Sequence, residues 1–221
     1  MNFHDVNVLI DQGEGFEIEF KRRISSPEKI ARTLISFANT KGGTILFGVD
    51  DDGSIVGVES EKAEIELIEM AGKDFCDPPI LPHIDIVPFD GRDVIVCHIF
   101  ESKTKPHYYL GERDRENGEN TRVYIRVNDN TIMASREVVK ILQNENLDAP
   151  PLKLSIGENE RRLFKYLEMH KRITVREFGR FINVSDRRAS RILVQLVRAG
   201  VVRIHTHEKE DYFTLAYDVE Y

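Results

Sequence analysis

Four polar side chains on one predicted helix, residues 186–199, carry the clearest chemistry in the chain. The inward set is Ala189, Ile192, Leu193, Leu196 and Val197, which repeats at helical spacing and marks the buried face. Arg187, Arg188, Ser190, Arg191, Gln195 and Arg198 fall on the outward positions. An α-helix fits the DNA major groove, where Arg forks onto guanine or phosphate and Gln pairs with adenine. Arg187, Arg188, Arg191 and Gln195 are therefore candidate base and phosphate contacts. Arg203 and Lys209, on a hairpin that follows, are candidate contacts to backbone phosphates. The alternative is a solvated face on a protein-interaction module.

The surrounding pattern is suited to presenting such a helix. Residues 158–170 read as an amphipathic helix with Leu163, Phe164 and Leu167 inward. A short helix over 175–182 buries Phe178 and Ile182. Asn183-Val184-Ser185 is the turn, the longer helix follows, and Gly200 ends it. Strands over 201–205 and 211–215 then form a hairpin. That order predicts a winged helix-turn-helix domain over 155–221, after a Pro-containing linker over 147–154 and an N-terminal domain over 1–146. Charge divides in the same direction. Residues 151–221 hold 14 Lys+Arg and 10 Asp+Glu, a net of +4, so the rest of the chain, with 17 and 28, carries −11. The basic module is the half expected to meet an anion.

The N-terminal part mixes both periodicities. Residues 5–12 read as a short helix. Phe16, Ile18 and Phe20 alternate with Glu17, Glu19 and Lys21, which predicts a half-buried strand. Ser25-Ser26-Pro27-Glu28 opens a helix that runs to about Ala38. Asn39-Thr40-Lys41-Gly42-Gly43 stops it and leads into a strand over 44–49 that is apolar on both faces. An Asp50-Asp51-Asp52-Gly53 turn precedes a strand over 54–58. Further elements are a helix over 60–76, strands over 84–89, 94–100 and 123–127, and a closing helix over 135–144. The charged, Gly-containing stretch 111–120 reads as a surface loop. The fold class expected is α+β. The Gly42-Gly43 pair reads as a tight turn rather than a phosphate cradle, since no Gly-Lys-Ser/Thr follows.

Several classes are set aside. Apolar runs are strand-sized, whereas a spanning helix needs roughly 20 residues, so no membrane partner is expected. The N-terminus lacks the basic start and apolar core of a signal peptide, and a cytoplasmic location is expected. Two cysteines, Cys76 and Cys97, make neither a disulfide framework nor a metal cluster. His205-x-His207 sits on a hairpin tip and reads as solvated. No nucleophilic triad stands out.

The stretches Glu14-Gly-Phe-Glu17-Ile-Glu19-Phe20-Lys21, Ser36-Phe37-Ala38-Asn39-Thr40-Lys41-Gly42-Gly43 through Gly48-Val49-Asp50-Asp51-Asp52-Gly53, and Val56-Gly57-Val58 resemble the Schlafen AlbA_2 domain. Lys105-Pro106-His107, Tyr124-Ile125-Arg126-Val127, Thr131 and Ser135-Arg136-Glu137 continue the likeness, over about residues 10–145. The resemblance implies a mixed sheet with helices. It also implies the company of a winged helix, in chains described as transcriptional regulators. In the ribonucleases of that family three carboxylates form the site, and the matching positions here are Glu14, Glu19 and Asp51. Such a set would hold Mg²⁺ or Mn²⁺, which activates water and offsets developing charge. Lys21, Arg22, Arg23 and Lys41 would supply a local basic patch against the domain's acidity, with Lys21 and Lys41 as candidate nucleic-acid contacts.

Three readings follow from the sequence. The first is a cofactor-free, homodimeric, DNA-binding transcriptional regulator, with RNA as the other candidate ligand. The second is a metal-dependent endoribonuclease using Glu14, Glu19 and Asp51. The third is a protein-interaction module.

Overall fold

Ser26 accepts a hydrogen bond from the Lys29 N–H and Pro27 takes the first helical position, so α2 begins where the capping pattern predicts and runs Pro27–Ala38. This computed structural model describes residues 3–111, 122–145, 151–152, 154–207 and 209–216. The chain divides into two units, Met1–Ala134 and Ser135–Tyr221.

The first unit has α1 (Phe3–Gln12), β1 (Ile18–Lys21), α2, β2 (Gly42–Phe47), α3 (Glu61–Asp74), β3 (Cys76–Asp77), β4 (His83–Phe89), β5 (Arg92–Phe100), β6 (Tyr108–Tyr109), β7 (Tyr124–Val127) and β8 (Asn130–Met133). Its main sheet has the order β1-β2-β5-β4. The β1–β2 pair is parallel, and the others are antiparallel. The fold is α+β, as expected from the alternation of patterns.

Every residue of β2 is buried. Its Ile45 and Phe47 join Ile95, Cys97 and Ile99 of β5 in a core under α2 and α3. Leu46 joins Val94 and Val96 in a second core on the opposite face, where Val6 of α1 packs. Period-two alternation inside an all-apolar strand thus feeds two separate cores.

Expectation and structure differ at several places in this unit. Phe16 is 37% exposed and lies outside the strand, which begins at Ile18. The Gly15 N–H donates to the Ile18 carbonyl and Glu14 folds onto the Phe20 N–H, so a tight turn replaces the first strand residues. The expected strand over 54–58 makes only an isolated bridge, Val49 with Ile55. Val56 and Gly57 both donate to the Gly48 carbonyl, so the chain wraps around Gly48 instead of pairing along it. A hairpin strand, β8, was not anticipated. It follows the Asn128-Asp129 turn, where Asn128 has φ 55°.

The second unit has α4 (Arg136–Gln143), α5 (Glu158–His170), α6 (Val175–Ile182), α7 (Asp186–Arg198), β9 (Val202–His205) and β10 (Tyr212–Leu215). Thr174 and Glu177 form a capping box at the start of α6. Asn183, with φ 57°, ends α6, and the Ser185 side chain caps α7. Leu163, Leu167, Phe178, Ile182, Ala189, Ile192, Leu193, Leu196, Val202 and Phe213 form one core. The helix over 136–143 lies within this unit, beside α7, although the sequence pattern placed it at the close of the N-terminal domain. The loop over 112–120, residues 147–150 and 153 of the linker, and Glu208 of the hairpin tip lie outside the described residues.

Candidate functional site

Arg126 organises the polar centre of the first unit, and sequence reading did not single it out. It sits on β7 with a side chain only 1% exposed. One terminal nitrogen donates to Glu19 Oε2 at 2.7 Å and to Thr131 Oγ1 at 3.2 Å. The other donates to the Gly15 carbonyl at 2.6 Å. The guanidinium lies 4.7 Å from the centre of the Phe37 ring. Thr131 in turn meets the Ser36 hydroxyl at 3.0 Å, so β1, α2, β7 and β8 share one network. A buried cation is tolerable only when it is paired and hydrogen-bonded in this way. The signal for Arg126 was its place inside an apolar run with Thr131 five residues on. Glu19 is 107 positions away, beyond local pattern.

Of the three candidate carboxylates, Glu19 alone belongs to that network. Glu19 Oε2 accepts from Arg126, and its Oε1 accepts from Lys21 Nζ at 2.5 Å. Glu14 is exposed, and its Oε1 accepts from the Phe20 backbone N–H at 2.8 Å. Asp51 is exposed in the turn beyond β2, where its N–H donates to Asp50 Oδ1. Among the described residues no group of three His, Cys, Asp or Glu side chains is placed to hold a metal ion. Glu14 and Glu19 thus brace the start of β1, with both Glu19 oxygens satisfied by cations. The set does not fit Mg²⁺ or Mn²⁺ in this geometry.

The Asn39–Gly43 stretch is also scaffold. Asn39 is buried, donates to the His107 and Tyr124 carbonyls, and accepts from the His107 N–H at 2.7 Å. Gly42 has φ 77°, and a Cβ there would stand 2.6 Å from the Ile99 carbonyl oxygen. A Cβ on Gly43 would stand 2.4 Å from the Phe37 ring. These close approaches, rather than a ligand, account for the glycine pair. Lys41 is exposed and pairs with Glu101 at 3.7 Å, while Lys105 reaches the same carboxylate at 2.6 Å. Hydrogen bonding from Lys105 holds the Glu101 carboxyl below its ordinary range. Lys21 and Lys41 are therefore both engaged with carboxylates, while Arg22 pairs with Asp50.

His107 is buried between the Pro78 carbonyl at Nδ1, 2.6 Å, and the Ser102 hydroxyl at Nε2, 2.7 Å. Burial pushes its pKa below the ordinary 6.5. Burial pushes both thiols, Cys76 and Cys97, up to about 12.

The second unit has the opposite character. Arg187, Arg188 and Arg191 are exposed on α7, and Gln195 is half-buried. Residues 187 and 191 share one helical face and 188 lies beside them. Arg203 on β9 and Lys209 at the hairpin tip are exposed. His205 Nε2 lies 2.9 Å from the Thr214 hydroxyl, and the ring stacks on Tyr212.

Ser190 departs from its expected outward position. It is 3% exposed, because α4 covers it. Lys140 Nζ donates to the Ser190 hydroxyl at 3.0 Å, and that hydroxyl donates to Glu137 Oε1 at 2.5 Å. Beside this contact, α4 and α7 enclose a groove of about 290 Å³ lined by Lys140, Asn144, Arg187, Arg191, Gln195 and Arg198.

No helix among the described residues is long and apolar enough to cross a membrane. No curated protein matches the chain. Solved structures similar to parts of it include the following two. One is the N-terminal domain of a protein from Nitrosomonas europaea, described as related to the ATP-dependent DNA helicase RecG. It is 23% identical over 48% of this chain and 81% of that one, with a TM-score of 0.42. The other is the DIP2311 protein from Corynebacterium diphtheriae, 17% identical over 71% of this chain and 34% of that one, with a TM-score of 0.48. The family model described as Schlafen, AlbA_2 matches residues 14–135, more than half of the chain, and the chain belongs to that family.

Proposed function

We propose that this protein binds nucleic acid and acts as a DNA-binding transcriptional regulator, with the second unit working as a winged helix. The observation that carries this reading is the set of exposed arginines Arg187, Arg188 and Arg191 beside Gln195 on α7, within a segment of net charge +4. Helix α6, the turn at 183–185 and α7 have the order of a helix-turn-helix, and β9–β10 has the place of a wing. Arg203 and Lys209 would then meet phosphates while α7 enters the major groove. A single such module buries little surface on DNA, so the functional form is a homodimer on a two-part site. The AlbA_2 unit adds a second nucleic-acid contact or the dimer contact.

The endoribonuclease alternative has less support. It needs Glu14, Glu19 and Asp51 free to hold a cation, and Glu19 is bound to Arg126 and Lys21.

Both readings meet in one experiment. Full-length protein is mixed with labelled duplex DNA or structured RNA, with and without Mn²⁺. The regulator reading expects intact duplex retained in a slower-migrating complex, with no metal-dependent products. Cleavage of RNA that needs Mn²⁺ and disappears in Glu19→Ala overturns it in favour of the nuclease.

A further inference from the structure

The groove between α4 and α7 differs in charge from its neighbour across α7. On the other side Arg188, Arg191 and Gln195 line a groove shared with Glu158 and Glu160. Among the described residues the α4 side has Lys140, Arg187, Arg191 and Arg198 and no carboxylate in its lining. One wall is α7 and the other is α4, a helix outside the α5–α6–α7 core.

We propose that this groove seats a phosphodiester strand of bound duplex DNA, with Lys140 gripping it from the wall opposite Arg187, Arg191 and Arg198. The proposal rests on the DNA-binding reading above and adds α4 to the interface. Size supports it. Packed helices lie 8–10 Å apart, so the pair is roughly 20 Å across, whereas the major groove is about 12 Å wide. The two helices cannot enter together. With α7 in the groove, α4 stays outside its lip, and the backbone strand at that lip falls between them. Arg187 to Arg198 covers about 16 Å of helix at 1.5 Å per residue. One strand carries a phosphate per roughly 3.4 Å of duplex axis, so that length meets several.

The wall is also prearranged. The Lys140–Ser190–Glu137 chain of hydrogen bonds fixes α4 against α7 and uses one of three ammonium donors. The Asn144 amide, which donates to the Lys140 carbonyl at 2.5 Å, fixes the end of α4. Glu137 spends the contacted oxygen on Ser190 inside the helix pair and does not line the groove.

The test is duplex affinity of the full chain across a salt series, for wild type, Lys140→Ala, Lys140→Gln and Arg188→Ala. Glutamine keeps a donor for Ser190 and removes the charge, so loss of fold and loss of grip separate. Both Lys140 variants are expected to weaken binding several-fold, alike for every duplex sequence, and to lower the slope of log K against log salt by about 0.9. Unchanged affinity and slope in Lys140→Gln, while Arg188→Ala still weakens binding, overturns the groove and leaves the DNA-binding reading intact. No salt-dependent duplex binding by wild type overturns both. Shifts of groove resonances by inorganic phosphate, with duplex binding insensitive to Lys140, overturn the strand in favour of a small-anion site.

Discussion

Arg126 and Arg191 are the same side chain used in opposite ways. Arg126 is 1% exposed and donates to a carboxylate, a hydroxyl and a carbonyl drawn from different elements. Arg191 is exposed on α7, on the same face as Arg187 and beside Arg188. In the first unit charge is internal and neutralised, so it specifies how β1, β7 and β8 meet. In the second, Arg187, Arg188 and Arg191 stand exposed on α7, which suits an external anion. The first unit ties Arg126 into its interior, and the second presents Arg187, Arg188 and Arg191 at its surface.

Breaking the internal network tests the first half of that contrast. Arg126→Ala leaves Glu19 and Thr131 without their buried donor. The expected loss is about 3 kcal/mol or more, read by urea unfolding of the full chain. Arg126→Lys recovers only part, because an ammonium cannot reproduce the fork. A loss below about 1 kcal/mol would show that the network does not hold these elements together.

The second half predicts the reverse pattern. Arg187→Ala/Arg191→Ala is expected to leave unfolding within about 0.5 kcal/mol of wild type, as exposed substitutions usually do. Duplex affinity should fall at least about tenfold, measured by fluorescence anisotropy. Comparable damage to stability would mean these arginines also serve the fold.

A pH series sharpens the contrast through His107. Its folded pKa lies below the ordinary 6.5, because burial disfavours the charged ring. The unfolded chain therefore takes up the proton first as pH falls. The contribution is fully present above about pH 6.5 and is lost as pH drops toward the folded value. His107→Gln should remove that part of the slope below pH 6.5, seen as the difference between the two unfolding curves. The smallest effect concerns the thiols. With pKa values near 12, Cys76 and Cys97 should resist iodoacetamide in the native protein at pH 7.5 and react after unfolding.

Much of the scaffold was legible locally. Ser26-Pro27, Ser185 and the Phe178/Ile182 spacing mark helix ends and faces through contacts a few residues apart, and α2, α6 and α7 stand where these signals place them. What was not legible depends on distant partners. Ser190 looks outward by helical period, yet α4 covers it through hydrogen bonds to residues 50 and 53 positions away. Glu19 looks like a solvated strand residue, yet it meets Arg126. Period alone also cannot tell a strand over 54–58 from a segment wrapped around the Gly48 carbonyl. The candidate cations of α7 were legible because helical period alone places them outward, and Arg187, Arg188 and Arg191 stand exposed there. Lys140 was missed because its helix was assigned to the other unit.

The most direct measurement is the salt dependence of duplex binding by the full chain, compared with Arg187→Ala/Arg191→Ala. The account predicts a linear fall of log K with log salt in wild type. It predicts a slope smaller by roughly two in the double variant, about 0.9 for each phosphate that is no longer neutralised. Equal slopes in the two proteins would contradict it, and would move the nucleic-acid interface away from α7.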